Sequence, residues 1–206
     1  ILCAPIMVLA AILVKLDSPG PYLYRQRRSG MDGRTITVLK FRTMRQDAEA
    51  LSGAVWAGHA DVRITRMGRF MRKWRVDEIP QMINVLRGEM SLVGPRPERP
   101  EFVETLAQAI PFYRARLLVP PGITGWAQVK YPYAASIDAA RHKLQYDLYY
   151  IKHMSFFLDW LILLRTFKTI VVGLRHSEEA EPAPAADPGI RVLHPKVDAV
   201  DKVHSA

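Results

Sequence analysis

The pattern of apolar and polar positions divides the chain into elements before any residue is given a role. An apolar run from Ile1 to Val14 comes first. It falls short of the roughly 20 residues a membrane span needs, and Pro5 would kink or break a helix within it. Tyr22 to Gln26 and Thr35 to Phe41 are β-prone runs around Ser29-Gly30-Met31-Asp32-Gly33, which predicts a hairpin. Arg45 to Arg63 is polar and loosely patterned, a helix start and then a loop carrying Trp56 and His59. Ile79, Met82, Ile83 and Leu86 recur at i, i+3, i+4, i+7, so a short helix is expected from Asp77 to Arg87, with Pro80 in its first turn and Gly88 just past its end. Phe102, Leu106, Ile110 and Tyr113 share an inward face over one or two helices between Arg99 and Leu118. Pro120, Pro121, Gly122 and Gly125 mark an ordered turn, with Trp126 packed on the body. Ile137, Leu144, Leu148 and Ile151 define a further helix, on which Lys143 and Asp147 have the i, i+4 spacing of an ion pair. From Phe156 onward, Phe157, Trp160, Leu161, Leu164 and Phe167 are interrupted by Asp159, Arg165 and Lys168, the composition of a helix lying on a membrane surface rather than crossing it. The fold class is mixed α/β, a small sheet or hairpin with surrounding helices.

Composition changes this picture in three places. With 206 residues and 49% hydrophobic content, the chain can bury one real core but not two large ones. The net charge of +9 is unevenly spread, because the acidic, Pro- and Ala-rich stretch after residue 176 holds six acids against three bases. That stretch is expected to be an extended tail, and the basic body before it suits an anionic partner. A single cysteine, Cys3, excludes an internal disulfide framework and points to a reducing compartment.

Candidate chemistry is densest between Arg69 and Pro97, around the adjacent acids Asp77 and Glu78. Two readings apply to this pair. Acids at a helix N-terminus act as caps and complement its dipole. Yet Arg69, Arg72, Lys73 and Arg75 precede the pair and Gly94-Pro95-Arg96-Pro97 follows it, so the surroundings recruit phosphate. Carboxylates there would oppose the anion unless they bind a divalent cation or attack phosphorus. Arg25, Arg27, Arg28, Arg34, Arg42 and Arg45 read for the most part as a solvated or lipid-facing basic surface. His59 lacks the companions a metal site needs.

KFRTM at Lys40 to Met44, RVDEIPQMINVLRGEMSLVGPRP from Arg75 to Pro97, PGITGWAQV at Pro121 to Val129 and YDLYYIKHMS at Tyr146 to Ser155 occur in this order. The chain resembles the bacterial sugar transferases, the monotopic phosphoglycosyl transferases that begin exopolysaccharide, capsule and O-antigen synthesis, from Ile1 to about Gly173. The YPYAAS segment from Tyr131 resembles the exopolysaccharide-initiating branch. The resemblance implies transfer of sugar-1-phosphate from a UDP-sugar to undecaprenyl (polyprenyl) phosphate, with release of UMP. It implies Asp77 as nucleophile, Glu78 as ligand of Mg2+, and Lys40, Arg72 and Arg96 as holders of substrate phosphate. Asp147 is either a surface partner of Lys143 or a supporting residue near the site. Residues 1–16 would be the C-terminal part of a re-entrant membrane helix broken at Pro5, 17–175 the catalytic domain, and 176–206 a flexible tail. The implied location is the bacterial inner (plasma) membrane at its cytoplasmic face, with membrane lipid as a partner and a homo-oligomer left open.

Two rivals remain at this level. A basic nucleic-acid-binding module would account for the cations but not for the acids at their centre, so no nucleic-acid partner is expected. A non-catalytic scaffold binding anionic lipid would account for cations and apolar helices together.

Overall fold

The computed structural model describes residues 4–46, 48, 61–131 and 137–176, with backbone alone for 172–176. Trp56, His59, Cys3 and the tail beyond residue 176 lie outside the described residues.

Helix α1 runs over Ala4–Asp17, so Pro5 stands at the edge of the described residues and the break expected there is not tested by them. Only Ala10 and Val14 are buried, and they pack with Phe41 and Met71. Ile6, Val8, Leu9, Ile12 and Leu16 are exposed. Among the described residues, no helix is long and apolar enough to cross a membrane.

Strands β1 (Leu23–Ser29) and β2 (Thr35–Phe41) form an antiparallel hairpin with Leu23 opposite Phe41 and Ser29 opposite Thr35. β1 is longer than expected and takes in Arg27, Arg28 and Ser29. The turn can be this tight because Asp32 and Gly33 both adopt left-handed backbone, and Gly30 N–H closes it on the Arg34 carbonyl. The far edge of β2 is covered by one side chain. Asn84 accepts from Leu39 N–H at 3.1 Å and donates to the Thr37 carbonyl at 2.8 Å, the two bonds a neighbouring strand would make.

Helix α2 (Arg66–Lys73) begins at Thr65, whose hydroxyl accepts from Gly68 N–H. It is followed by a 3-10 turn, Val76–Glu78, and then by α3, Gln81–Leu86. The single helix expected from Asp77 to Arg87 is therefore two pieces. Pro80 has no N–H to offer the Val76 carbonyl, so Ile79 N–H takes it in the tighter i−3 pattern.

β3 (Ser91–Val93) pairs in parallel with β4 (Gly122–Thr124), making a second two-stranded sheet. Between them lie α4 (Pro100–Ala109) and a 3-10 turn, Tyr113–Leu117, separated at Ile110 to Phe112. Val103, Leu106, Ile110 and Tyr113 form this segment's core with Ala140 and Leu144, while Phe102 is only half-buried and carries Arg99 over its ring. Short α5 (Trp126–Lys130) follows β4. Helix α6 (Ile137–Lys152) supplies Ala140, Leu144 and Tyr150 to the core, and α7 (Phe156–His176) supplies Ile162. Trp126 stacks near Tyr149 and receives Lys130 and Arg165. The rest of α7 is largely bare: Phe156, Phe157, Trp160, Leu164 and Phe167 are exposed, Phe157 by 84%.

Candidate active site

Glu78 gathers three cations from three parts of the chain. Its Oε1 accepts from Arg96 at 2.6 Å and from Lys40 at 3.0 Å, and its Oε2 accepts from Arg75 at 3.2 Å. Burial alone would raise this carboxyl, but Arg96, Lys40 and Arg75 outweigh it and hold the group well below the usual range. Lys40 is itself lowered, by burial first, with Glu78 opposing. Arg96 is raised by Glu78.

Asp77 next to it has the opposite environment. It is buried, and its Oδ1 has no hydrogen-bond partner among the described residues. Burial and the neighbouring Glu78 charge push its carboxyl up to about 6, against the pull of Lys40, Arg72 and Arg75. Arg72 does not pair with Asp77 directly; its Nε donates to Thr43 Oγ1 at 2.9 Å, and it acts on Asp77 through its field. No side chain caps the 3-10 turn or α3, and Glu78 is spent on cations. The capping reading of the acid pair therefore does not hold.

Arg96 sits in a turn between two prolines, Pro95 and Pro97, which bring no N–H of their own. Four successive carbonyls of this turn are held from outside. Gly122 N–H reaches Pro95 at 2.9 Å, Arg116 Nη2 reaches Arg96 at 2.9 Å, Arg28 Nη1 reaches Pro97 at 3.0 Å, and Ser29 N–H reaches Glu98 at 2.8 Å. Arg116 is 3% exposed and pairs with Asp147 at 2.9 Å, while also donating to the Tyr113 hydroxyl. Asp147 is thus a buried partner of Arg116 and not a surface partner of Lys143. Lys143 goes instead to Glu98 at 2.8 Å.

The structure therefore brings Asp77, Glu78, Lys40 and Arg96 together, sets Arg72 beside them, and connects Asp147 through Arg116. Pro5 lies on α1, whose buried residues cluster with Phe41 of β2 and Met71 of α2. Sequence reasoning missed Arg116, Glu98 and Asn84. Glu98 carried a signal, as an acid directly after a basic proline turn; Arg116 and Asn84 carried none. Arg28 and Arg42 were grouped with a solvated basic surface. Instead Arg28 braces Pro97, and Arg42 is buried, donating to the Ser18 carbonyl at the end of α1.

The family model described as Bacterial sugar transferase matches residues 1–173. The chain belongs to that family. A relative from Aeromonas hydrophila, named UDP-N-acetylgalactosamine-undecaprenyl-phosphate N-acetylgalactosaminephosphotransferase, is 49% identical over 172 residues, covering 84% of this chain and 40% of its own. An undecaprenyl-phosphate glucose phosphotransferase from Komagataeibacter xylinus is 44% identical over 170 residues, 80% of this chain and 32% of its own. A UDP-glucose:undecaprenyl-phosphate glucose-1-phosphate transferase from Caulobacter vibrioides is 41% identical over 174 residues, 82% of this chain and 64% of its own. The chain thus spans about a third to two thirds of the length of these bacterial sugar transferases.

Among the described residues, no three His, Cys, Asp or Glu side chains gather as a metal cage. Mg2+ does not require one, since it is commonly held by one or two carboxylates together with substrate phosphates and water. The donor set fits that mode: among the described residues, Asp77 Oδ1 has no partner and Glu78 Oε2 accepts a single bond.

Proposed function

We propose that this bacterial sugar transferase moves sugar-1-phosphate from a UDP-sugar to polyprenyl phosphate. The observation that carries the reading is Asp77 Oδ1, a buried carboxylate oxygen with no donor on it among the described residues, lying beside a glutamate clamped by cations. A structural carboxylate at that depth would be hydrogen-bonded. A nucleophile is left free.

In the first step an Asp77 oxygen attacks the sugar-bearing phosphorus of the donor. The bond from that phosphorus to the bridging oxygen breaks, and UMP leaves with the electron pair. In the second step an oxygen of the lipid phosphate attacks the same phosphorus, the bond to Asp77 breaks, and the carboxylate is restored with polyprenyl diphosphate sugar as product. Lys40, Arg72 and Arg96 supply positive charge where the diphosphate accumulates negative charge. When bound, Mg2+ would be held at Glu78 beside Asp77 and would offset that charge. The exposed apolar sides of α1 and α7 would seat the domain on the membrane that carries the lipid, at its cytoplasmic face.

The relatives' names include both N-acetylgalactosamine and glucose, so the donor panel must hold both. Intact-protein mass after incubation with Mg2+ and each UDP-sugar, without lipid, tests the mechanism. A gain of one phosphosugar, absent in Asp77→Asn, is expected and names the sugar. UMP release only when lipid phosphate is present would replace the covalent route with direct transfer. No release under any condition would revive the lipid-binding scaffold. The names of the relatives favour neither the scaffold nor a nucleic-acid-binding module.

A further inference from the structure

Three cations hold Glu78, but they do not hold it equally. Arg96 and Lys40 both bind Oε1 and both come from braced backbone, one in the proline turn held at four carbonyls, the other on β2 between β1 and Asn84. Oε2 has one partner, Arg75, at the longest of the three separations, and the Arg75 side chain is 48% exposed. Its backbone is left-handed, with φ 58° and ψ 18°, directly after Trp74, the C-cap of α2. Glycine is the usual residue at such a place because any Cβ strains it. Here the residue is an arginine, and its side chain is engaged on Glu78 Oε2.

We infer that Arg75 is the exchangeable partner of Glu78: it neutralises Oε2 in the free protein and moves to the donor's diphosphate when nucleotide sugar and divalent ion enter. This inference rests on the transferase reading above. A guanidinium grips carboxylate and phosphate with the same fork of N–H donors, so the exchange leaves no donor unsatisfied. Its departure frees the one Glu78 oxygen not already accepting two bonds, and the arriving divalent ion replaces the positive charge that left. Arg75 then competes with the metal and assists the donor, so the two affinities should respond to its removal with opposite sign.

The test uses the full chain in detergent, with Mn2+ alone as the first probe and UDP in saturating Mg2+ as the second. Arg75→Gln should bind Mn2+ alone about three- to tenfold more tightly and UDP about tenfold more weakly than wild type. Arg75→Gly relieves the left-handed strain, so it should melt no lower than wild type and show the same opposed pair. Both affinities unchanged, or both weakened, would overturn the exchange and leave Arg75 a surface residue or a fixed strut. A wild-type chain that binds neither Mn2+ nor UDP would instead bring down the transferase reading, and this inference with it.

Discussion

At the residue scale, Asp77 and Glu78 share a peptide bond yet have opposite electrostatics, and each substitution should behave accordingly. Asp77→Asn keeps the shape and removes a buried charge whose Oδ1 is unpartnered, so the fold should survive with little change in melting temperature while sugar transfer is lost. Circular dichroism melting beside a UMP-release assay checks both halves. Glu78→Gln leaves Arg96 and Lys40 facing an amide, and should cost both activity and stability. Breaking the buried Arg116–Asp147 pair is expected to be more damaging to stability: Asp147→Ala leaves the buried guanidinium with Glu98 at 4.0 Å as its remaining carboxylate, and should cost up to about 3–5 kcal/mol. Urea titration of the variant measures it. The acids, Lys40 and Arg96 were legible because motif and charge concentrate around them in sequence. Arg116 and Asn84 were not legible, because their work is done on backbone groups 20 to 47 residues away, which no local pattern records.

At the scale of elements, the apolar spacing after Asp77 was legible as a helix at α3 but not as its buried face: Gln81 and Asn84 are buried while Leu86 is 85% exposed, and the helix start was misplaced by one proline. What the spacing could not show is that the acids stand on a separate tight turn between α2 and α3. The hairpin was likewise visible from its turn residues, though β1 runs further because Asp32 accepts left-handed backbone. Two close approaches fix these elements against each other. A Cβ on Gly68 would run into the Thr43 carbonyl, so Gly68→Ala should lift α2 from the strand end that holds Arg72 and lower both melting temperature and activity. Asn84→Ala leaves Leu39 N–H and the Thr37 carbonyl without their partner and should cost about 2–4 kcal/mol. Asn84→Asp should recover little, since it can accept from Leu39 but cannot donate to Thr37.

At the scale of the molecule, buried charge makes the fold acid-sensitive in a defined window. Burial pushes Glu98 up, but Lys143, Arg116 and Arg28 outweigh it and hold the carboxyl at about 2, below its ordinary 4.5. A depressed carboxyl contributes stability that is complete above its unfolded value and fades as pH falls from there toward the folded one. The stability gap between wild type and Glu98→Gln, up to about 3 kcal/mol at neutral pH, should therefore shrink between about pH 5 and pH 2. Comparing the two proteins at each pH separates Glu98 from Asp147, whose carboxyl burial pushes up in both. The bare side of α7 makes a second prediction at this scale: Phe156→Asp with Phe157→Asp should leave folding intact and weaken binding to anionic vesicles at least about tenfold. The proline turn has a further consequence. Its four external donors come from the hairpin, from the segment after α4 and from β4, so Arg96 cannot be released by the opening of one neighbour alone. The amides of Ser29 and Gly122 should then exchange with deuterium only through global unfolding, and heat should take catalysis and compactness away together, with no inactive but folded species between them.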